Sequence, residues 1–183
     1  MKLSVLTAAY NCADTLADCL DSVAGQTHGD VEHILIDGAS TDGTLELLQA
    51  RRAGLAQLVS EPDGGIYFGL NKGIALARGE VLGFLHGDDV YADAQVLAQV
   101  AEAFADPAVA AVYGDLEYVS QADPTRVVRH WRAGAYQPRQ LRWRGPLCQN
   151  RNCRRIRRFF CAARSMSASG CSIRVIASRR TMI

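Results

Sequence analysis

The sequence lacks any apolar run long enough to cross a membrane. A membrane-spanning helix needs about 18 or more consecutive apolar residues, and no run approaches that length although 49% of the 183 residues are hydrophobic. The N-terminal stretch "MKLSVLTAAYN" carries one Lys and only a short apolar run before polar Asn11, which is typical of a first strand and not of a signal peptide. The composition therefore predicts a cytoplasmic globular domain with a core of its own.

Two glycine-rich phosphate-binding motifs are also missing. No G-x-G-x-x-G follows the first predicted strand, which argues against a dinucleotide-dependent dehydrogenase. Gly64 and Gly65 precede Lys72, but the spacing is not that of a P-loop. The last four of the six cysteines lack the short paired spacing of zinc sites, and no histidine follows His130, so the spacing argues against a structural metal.

Acidic residues stop at Asp123, and this absence divides the chain. Residues 1–141 hold all 19 acidic residues and nine basic ones, for a net charge of −10, whereas residues 142–183 hold 11 Arg, no Lys and no acid, for +11. So abrupt a shift predicts a boundary between a domain at 1–141 and an atypical Arg- and Cys-rich tail at 142–183. RNA binding is one interpretation of the tail, but no RNA-binding motif accompanies its aromatic residues, so nucleic acid is not an expected partner.

The first 131 residues alternate between strand and helix patterns. Apolar, β-branched runs predict strands, and apolar residues spaced at i, i+4 and i+7 predict helices between them. Asn11 and Asp42 are expected N-caps, and Gly79 is expected to close the third helix. The strands are expected at 3–10, 31–37, 55–60, 80–86 and 108–115, followed by a hairpin. Such alternation indicates an α/β domain with a mainly parallel sheet flanked by helices.

Ligands of such sheets bind beyond the carboxyl ends of the strands, where this chain has four polar clusters. These clusters are "AYN" at 9–11, "DGASTDGT" at 37–44, "SEPDGG" at 60–65 and "HGDD" at 86–89. Asp37 ends a strand and can accept a hydrogen bond from a ribose or a base N–H, whereas helix capping alone would explain Asp42. Lys72, on the helix after the third cluster, can face phosphate.

The most informative cluster is the adjacent pair Asp88 and Asp89, which follows a buried strand. Two carboxylates so close repel each other, and a divalent cation removes that repulsion. Mg²⁺ and Mn²⁺ prefer oxygen ligands, commonly one or two carboxylates together with substrate phosphates. The alternative is a solvated loop in which one of the two carboxylates caps the next helix.

With these clusters in this order and spacing, the chain resembles the family 2 inverting glycosyltransferases over about residues 1–130. The matching blocks run from "SVLTAAYNCADTL" through "HILIDGASTDGT" and "SEPDGGIYFGLNKG" to "GEVLGFLHGDD". The resemblance implies the glycosyltransferase A fold of nucleotide-diphospho-sugar transferases, incomplete here at the C-terminus. It also implies sugar transfer with inversion from a nucleotide-sugar, above all a UDP-sugar, to a saccharide or lipid-linked acceptor. Cell-surface polysaccharide or glycolipid synthesis, peripheral to the inner membrane face, is the expected setting.

The resemblance also implies roles for individual residues. Asp89 matches the ligand of Mg²⁺ or Mn²⁺, Asp88 the residue that holds the ribose or supports the metal, and Asp37 the residue that reads the base edge. Phe68 stands where relatives often have an acidic residue, which leaves the donor-sugar contacts around 64–72 unassigned. The expected donor-binding set is Ala9, Tyr10, Asn11, Asp37, Asp42, Lys72 and Asp88.

The sequence lacks one residue that inversion requires. A carboxylate must deprotonate the acceptor hydroxyl, and in this family it follows the metal-binding motif and a hairpin, whereas no acid follows Asp123 here. The alternative function is therefore a non-catalytic nucleotide-sugar-binding remnant. Back-translation of 168–183 in another frame permits a family-like acidic stretch, so we expect a frame change between Trp143 and Arg154. A tail so altered should not pack like the family's acceptor half, and the chain should bind donor poorly or not at all and transfer no sugar.

Overall fold

The structure is a computed structural model that describes residues 1–107, 109, 111–120, 123, 125–131, 158–161 and 171–176. Its strands are β1 (Leu3–Ala9), β2 (Val31–Asp37), β3 (Gln57–Ser60), β4 (Val81–Phe84), β5 (Asp89–Tyr91), β6 (Ala111–Tyr113), β7 (Asp115–Ser120), β8 (Val127–Trp131), β9 (Arg158–Cys161) and β10 (Cys171–Ile176). Its helices are α1 (Ala13–Ala24), α2 (Thr44–Ala50), α3 (Ile66–Leu76) and α4 (Val96–Ala103), with a 3-10 turn at Arg52–Gly54. Within these residues, no helix is long and apolar enough to cross a bilayer.

The main sheet has six strands in the order β3-β2-β1-β4-β9-β6, and every adjacent pair in it is parallel. A second sheet has the order β5-β10-β7-β8, in which β5 and β10 are parallel and the other pairs are antiparallel. Parallel neighbours need a crossover connection, which the helices supply. The predicted α/β architecture with a mainly parallel sheet is confirmed.

Both faces of the main sheet are buried, because successive side chains of a strand point to opposite faces. Val5 belongs to the apolar core that β1 shares with α1 and α4, while Leu6 packs with Leu70 and Ile74 of α3 on the other face. Burial on both faces explains why the strands are nearly continuous apolar runs. This layer fixes the positions of the strand ends on which the candidate site is built.

The predicted N-cap of α1 is wrong. The helix begins at Ala13 after Cys12, and no side chain caps it in the usual way. Asn11 lies one residue earlier, with a φ of 48°, and its Oδ1 accepts a hydrogen bond from Thr41 N at 2.9 Å. The amide of Asn11 therefore joins two loops instead of ending a helix, and its tolerance of positive φ suits that position.

The predicted end of α3 is also wrong. The helix ends at Leu76, and the following Ala77 has extended backbone. Gly79 instead lies against β1, where its N–H donates to Ser4 Oγ at 2.8 Å. Its glycine identity is explained by close packing and not by a helix C-cap.

Ten residues of the segment 142–183 pair with the two sheets, which the sequence analysis did not predict. β9 lies between β4 and β6, and β10 lies between β5 and β7. Their sequences, "RFFC" and "CSIRVI", are short runs rich in aromatic or β-branched residues, which favour strands. The predicted frame change between Trp143 and Arg154 lies outside the described residues and stays a prediction.

Candidate functional site

Three neighbouring strands end at the same level, and a pocket opens beyond them. Parallel pairing sets Ala9 of β1 opposite Asp37 of β2, and Asp37 opposite Ser60 of β3. A pocket of about 890 Å³ lies there, lined by residues of the loops that follow β1 to β4. Ligand pockets usually have volumes of about 300–1,000 Å³, and this edge of an α/β sheet is where ligands bind.

The structure brings five of the eight predicted site residues to this pocket. The predicted residues that line it are Ala9, Tyr10, Asn11, Asp42 and Asp88. The three that do not are Asp37, Lys72 and Asp89. Asp37 and Asp89 are buried, with exposures of 0% and 1%. The ammonium group of Lys72 forms an ion pair with Glu61 at 2.9 Å, so α3 does not offer it to the pocket in this arrangement.

The buried carboxylate of Asp37 is held by two serines. The Ser40 hydroxyl donates to Oδ1, and the Ser40 N–H donates to Oδ2 at 3.2 Å. Ser60 Oγ, from the end of β3, donates to Oδ2 at 2.6 Å. A buried charge is costly unless it is hydrogen-bonded, and these donors satisfy it. The predicted contact with a base edge stays a prediction, because the carboxylate has no exposed surface here.

Three consecutive backbone N–H groups join the β1 loop (residues 9–13) to the β2 loop (residues 38–44) by hydrogen bonds. The N–H groups of residues 11, 12 and 13 donate in turn to Ser40 Oγ, Thr44 Oγ1 and Asp42 Oδ2, at 2.9, 2.9 and 3.1 Å. The first N–H groups of a helix have no partner within it. Side chains of the β2 loop thus supply the acceptors at the start of α1, and they fix the pocket wall.

The Asp42 carboxylate accepts hydrogen bonds from the first residues of two helices, α1 and α2. Its Oδ1 accepts hydrogen bonds from the N–H and the hydroxyl of Thr44, at 3.0 and 2.6 Å, while Oδ2 accepts from Ala13 N. The N-cap residue of α2 is Gly43, so the predicted cap position is wrong by one residue. The hydrogen bond from the Thr44 side chain, with those from the backbone, lowers the pKa of Asp42, so its carboxylate is ionised at neutral pH.

The "HGDD" motif after β4 is divided between pocket and core. His86, Gly87 and Asp88 line the pocket, whereas Asp89 is the first residue of β5. The N–H of Asp89 donates to the His86 carbonyl at 3.0 Å, which closes a tight turn. A Cβ on Gly87 would lie 2.7 Å from Cys12 Sγ, so a larger residue in this turn would require the Cys12 side chain to move. Burial lowers the pKa of His86, against the opposing effect of Asp88.

The pocket is strongly acidic. Its acidic lining residues are Asp14, Asp42, Asp63 and Asp88, and among the described residues no Lys or Arg lines it. An entering diphosphate would be repelled by these carboxylates unless a cation came with it. The described residues contain no group of three or more His, Cys, Asp or Glu side chains able to hold a metal. Asp88, in the lining, suits Mg²⁺ or Mn²⁺, because such ions commonly take one or two carboxylates and complete their shell with substrate oxygens. Asp89 is buried and does not line the pocket, so its predicted metal role stays a prediction.

Asp14 is a pocket residue that the sequence analysis missed, whereas Asp63 belongs to the predicted "SEPDGG" cluster but was given no role of its own. Asp63 Oδ1 accepts a hydrogen bond from Gly65 N at 2.8 Å, a local turn that the "PDGG" sequence predicts. The turn signal alone does not indicate a pocket, but the position of this cluster after a strand does. Asp14 lies in the first turn of α1, and no local pattern around it indicates that this turn faces the same cleft as the "HGDD" motif.

Ala39, in the β2 loop, has a φ of 62°, a left-handed conformation that costs an L-residue about 1–2 kcal/mol. We expect Ala39→Gly to raise the free energy of unfolding by up to about 1 kcal/mol, because relief of this strain exceeds the extra chain entropy of glycine. Chemical denaturation measures the change. The reverse control is Gly43→Ala, at a φ of 99° in the same loop, which should lower stability. A loss of stability in Ala39→Gly would contradict the strain argument.

Solved structures with this architecture include two complexes with a nucleotide-sugar. The structure of Staphylococcus aureus TarS 1-349 in complex with UDP-GlcNAc has a TM-score of 0.57 at 25% identity, over 62% of this chain and 34% of that one. Mannosyltransferase PcManGT from Pyrobaculum calidifontis, in complex with GDP-Man and Mn²⁺, has a TM-score of 0.54 at 27% identity, over 68% of this chain and 37% of that one. The predicted glycosyltransferase A fold is confirmed.

Sequence comparison reaches the same family. A PGL/p-HBAD biosynthesis glycosyltransferase of Mycobacterium bovis (strain BCG / Pasteur 1173P2) is 38% identical over 117 residues, which are 62% of this chain and 46% of that protein. The chain thus spans about half the length of that curated relative. The family model for glycosyl transferase family 2 matches residues 4–166, which is most of the sequence. The chain therefore belongs to glycosyl transferase family 2.

Proposed function

We propose that this chain binds a nucleotide-sugar together with a divalent cation and forms the donor-binding part of an inverting glycosyltransferase. The observation that carries the proposal is the acidic pocket at the carboxyl ends of β1 to β4, with Asp88 in its lining. Membership of family 2 supports transferase activity. UDP-GlcNAc in TarS and GDP-Man in PcManGT support a nucleoside diphosphate sugar as donor, and a UDP-sugar is our first choice.

The β1 loop is the proposed nucleoside wall. Tyr10 is 68% exposed, and its ring lies over Gly38, where a Cβ would come within 3.2 Å of ring atom Cδ2. A nucleoside placed against this loop would cover the exposed ring and bury apolar surface. Asn11 lies beside it, and Asp37 lies beneath it. The hydrogen bonds between the β1 and β2 loops hold this wall in place before any ligand binds.

Asp88 and Asp89 are the proposed holders of Mg²⁺ or Mn²⁺. When bound, the cation stabilises the negative charge that develops on the leaving nucleoside diphosphate, as a Lewis acid. The acidic lining then favours a diphosphate that carries its cation, because the carboxylates repel a diphosphate without one. Mn²⁺ in the PcManGT complex supports this assignment. His86 lies in the same turn. Burial lowers the pKa of its imidazole, so the neutral ring adds no competing positive charge.

The proposed acceptor is a saccharide or a lipid-linked saccharide. The Mycobacterium bovis relative is named for PGL/p-HBAD biosynthesis, which supports cell-surface glycolipid or polysaccharide synthesis. Ile66, Tyr67 and Phe68, at the first turn of α3, are 45%, 54% and 61% exposed, and Ile66 also lines the pocket. Exposed apolar residues grouped in this way mark interaction surfaces, and they support an acceptor with an apolar carrier at the cytoplasmic face of a membrane.

A second candidate function is donor binding without transfer. Its specific support is that no acidic residue follows Asp123, so the late part of the sequence offers no carboxylate to deprotonate an acceptor hydroxyl. Under this alternative the pocket and its metal requirement are unchanged. Only the release of the sugar to an acceptor would be lost.

Calorimetric titration of the 183-residue chain with UDP, in Mn²⁺ and in EDTA, tests donor binding. We expect at least about tenfold tighter binding in Mn²⁺, because the cation neutralises the carboxylates that repel the diphosphate. GDP and CDP, titrated in parallel, report the base preference. Absence of binding for all three nucleotides in Mn²⁺ would reject the proposal. Release of UDP from UDP-GlcNAc, in the presence of saccharide acceptors, separates transfer from binding alone.

A further inference from the structure

Two side chains at the base of the pocket do not line it, yet they are joined to residues that do. Asp37 is fully buried, and neither it nor Ser40 is among the lining residues. Tyr10, Asn11 and Ala39 do line the pocket. Ala39 precedes Ser40 in the chain, and the Asn11 N–H donates to Ser40 Oγ, so the position of Ser40 affects both loops of the wall.

The Ser40 hydroxyl makes two hydrogen bonds of opposite sense. It donates to Asp37 Oδ1, and it accepts from Asn11 N at 2.9 Å. A hydroxyl has one proton to donate, so donation to the carboxylate leaves its lone pairs directed to the Asn11 N–H. The return hydrogen bond, from Thr41 N to Asn11 Oδ1 at 2.9 Å, closes the connection between the loops.

We propose that Ser40 is a positioning residue for nucleotide binding: its hydroxyl joins the buried Asp37 carboxylate to the Asn11 backbone, and so fixes the nucleoside wall. This inference rests on the proposed function, because it assigns the Tyr10–Asn11 wall to the nucleoside. Asp37 is fully buried at the end of β2, and Ser40 joins it to a loop in which Asn11 has a positive φ. Preorganisation of this kind reduces the ordering cost of binding.

Ser60 provides a matched control. Its hydroxyl also donates to the Asp37 carboxylate, at 2.6 Å, but it has no hydrogen bond to the β1 loop among the contacts of the described residues. Ser40→Ala and Ser60→Ala therefore both remove one hydroxyl donor from the same buried carboxylate. Only Ser40→Ala also removes the acceptor of the Asn11 N–H. Ser40→Thr keeps the hydroxyl and serves as the rescue variant.

The first measurement is amide hydrogen exchange in the protein without ligand. We expect Ser40→Ala to speed exchange of the Asn11 N–H about fivefold, since a net hydrogen bond of ordinary strength is lost. Ser60→Ala and Ser40→Thr should leave that rate near the parent's. Core amides such as Leu6 N–H report any general loss of stability. Equal Asn11 exchange in Ser40→Ala and Ser60→Ala would overturn the proposal.

The second measurement is calorimetric binding of uridine without metal and of UDP with Mn²⁺. Ser40→Ala should weaken both by a similar factor, about five- to tenfold, because the change affects the nucleoside wall and not the cation. Ser60→Ala should weaken them less, and Ser40→Thr should restore them. If the parent protein binds UDP and Ser40→Ala binds it equally well, the positioning role alone is overturned. A parent that binds no nucleotide would reject the proposed function and the positioning role with it.

Discussion

Asp89→Asn should lose about 100-fold in affinity for UDP in the presence of Mn²⁺, or about 3 kcal/mol, while affinity in EDTA stays near that of the parent. The substitution keeps the volume of the side chain and removes its charge. Volume matters because Asp89 is 1% exposed at the start of β5, where a truncation would leave a cavity. Loss of one charged ligand removes much of the attraction that holds a hard cation next to a diphosphate. Calorimetry with and without Mn²⁺ measures both affinities.

The control for this variant is Asp93→Asn. Asp93 follows β5 closely, is exposed, and caps the turn before α4 by accepting a hydrogen bond from Gln95 N at 2.7 Å. The Asp93→Asn variant should bind UDP and Mn²⁺ with the affinity of the parent protein. Asp88→Asn distinguishes the members of the pair, because Asp88 lines the pocket and Asp89 does not. Parent-like Mn²⁺-dependent binding in Asp89→Asn would show that the metal role assigned to Asp89 is wrong.

Gly79→Ala should lower the free energy of unfolding by about 3 kcal/mol, as forced overpacking at a buried position does. A Cβ at Gly79 would lie 2.5 Å from Ser4 Oγ, 2.7 Å from Ser4 N and 2.9 Å from the Lys2 carbonyl oxygen. Two of these atoms belong to the backbone of the N-terminal segment, so no side-chain rotation relieves the clash. The Gly79 N–H also donates to Glu32 Oε1 at 3.0 Å, and this bond would be displaced. Chemical denaturation measures the loss.

Gly54→Ala is the matched control for the packing argument. Gly54 lies in the 3-10 turn, and nothing within 4 Å would meet a Cβ there. Its stability should stay within about 0.5 kcal/mol of the parent, as for most surface changes. If Gly79→Ala unfolds at the same denaturant concentration as Gly54→Ala, the close approach of Gly79 to β1 is not as the structure has it.

The sequence was sufficient to predict the elements that local patterns, such as apolar runs and polar clusters, indicate. The apolar runs of β1 and β2 predict buried strands, and parallel strands place their carboxyl ends at one edge. The pocket therefore lies where the polar clusters predicted it, with Tyr10, Asn11 and Asp88 in its lining. The family resemblance and the fold followed from the same clusters.

Features that depend on tertiary packing were not predictable in this way. Gly79 has the composition signal of a helix C-cap, but its role is set by the distance to Ser4, 75 residues away in sequence. Asn11 is a good N-cap type, yet its amide pairs with Thr41 instead. Asp89 is adjacent to Asp88 in sequence, but it is buried at the start of β5 and does not line the pocket. Each of these outcomes depends on long-range contacts, which neither propensity nor spacing records.

The hydrogen bonds between the β1 and β2 loops make two distant sequence segments depend on each other for their structure. Residues 9–13 supply the backbone donors, and residues 38–44 supply the side-chain acceptors. A chimera that imports one loop from a relative without the other would separate donors from their acceptors at the mouth of the pocket. A chimera that keeps these hydrogen bonds therefore has to exchange both segments together, although 24 residues of helix, turn and strand lie between them.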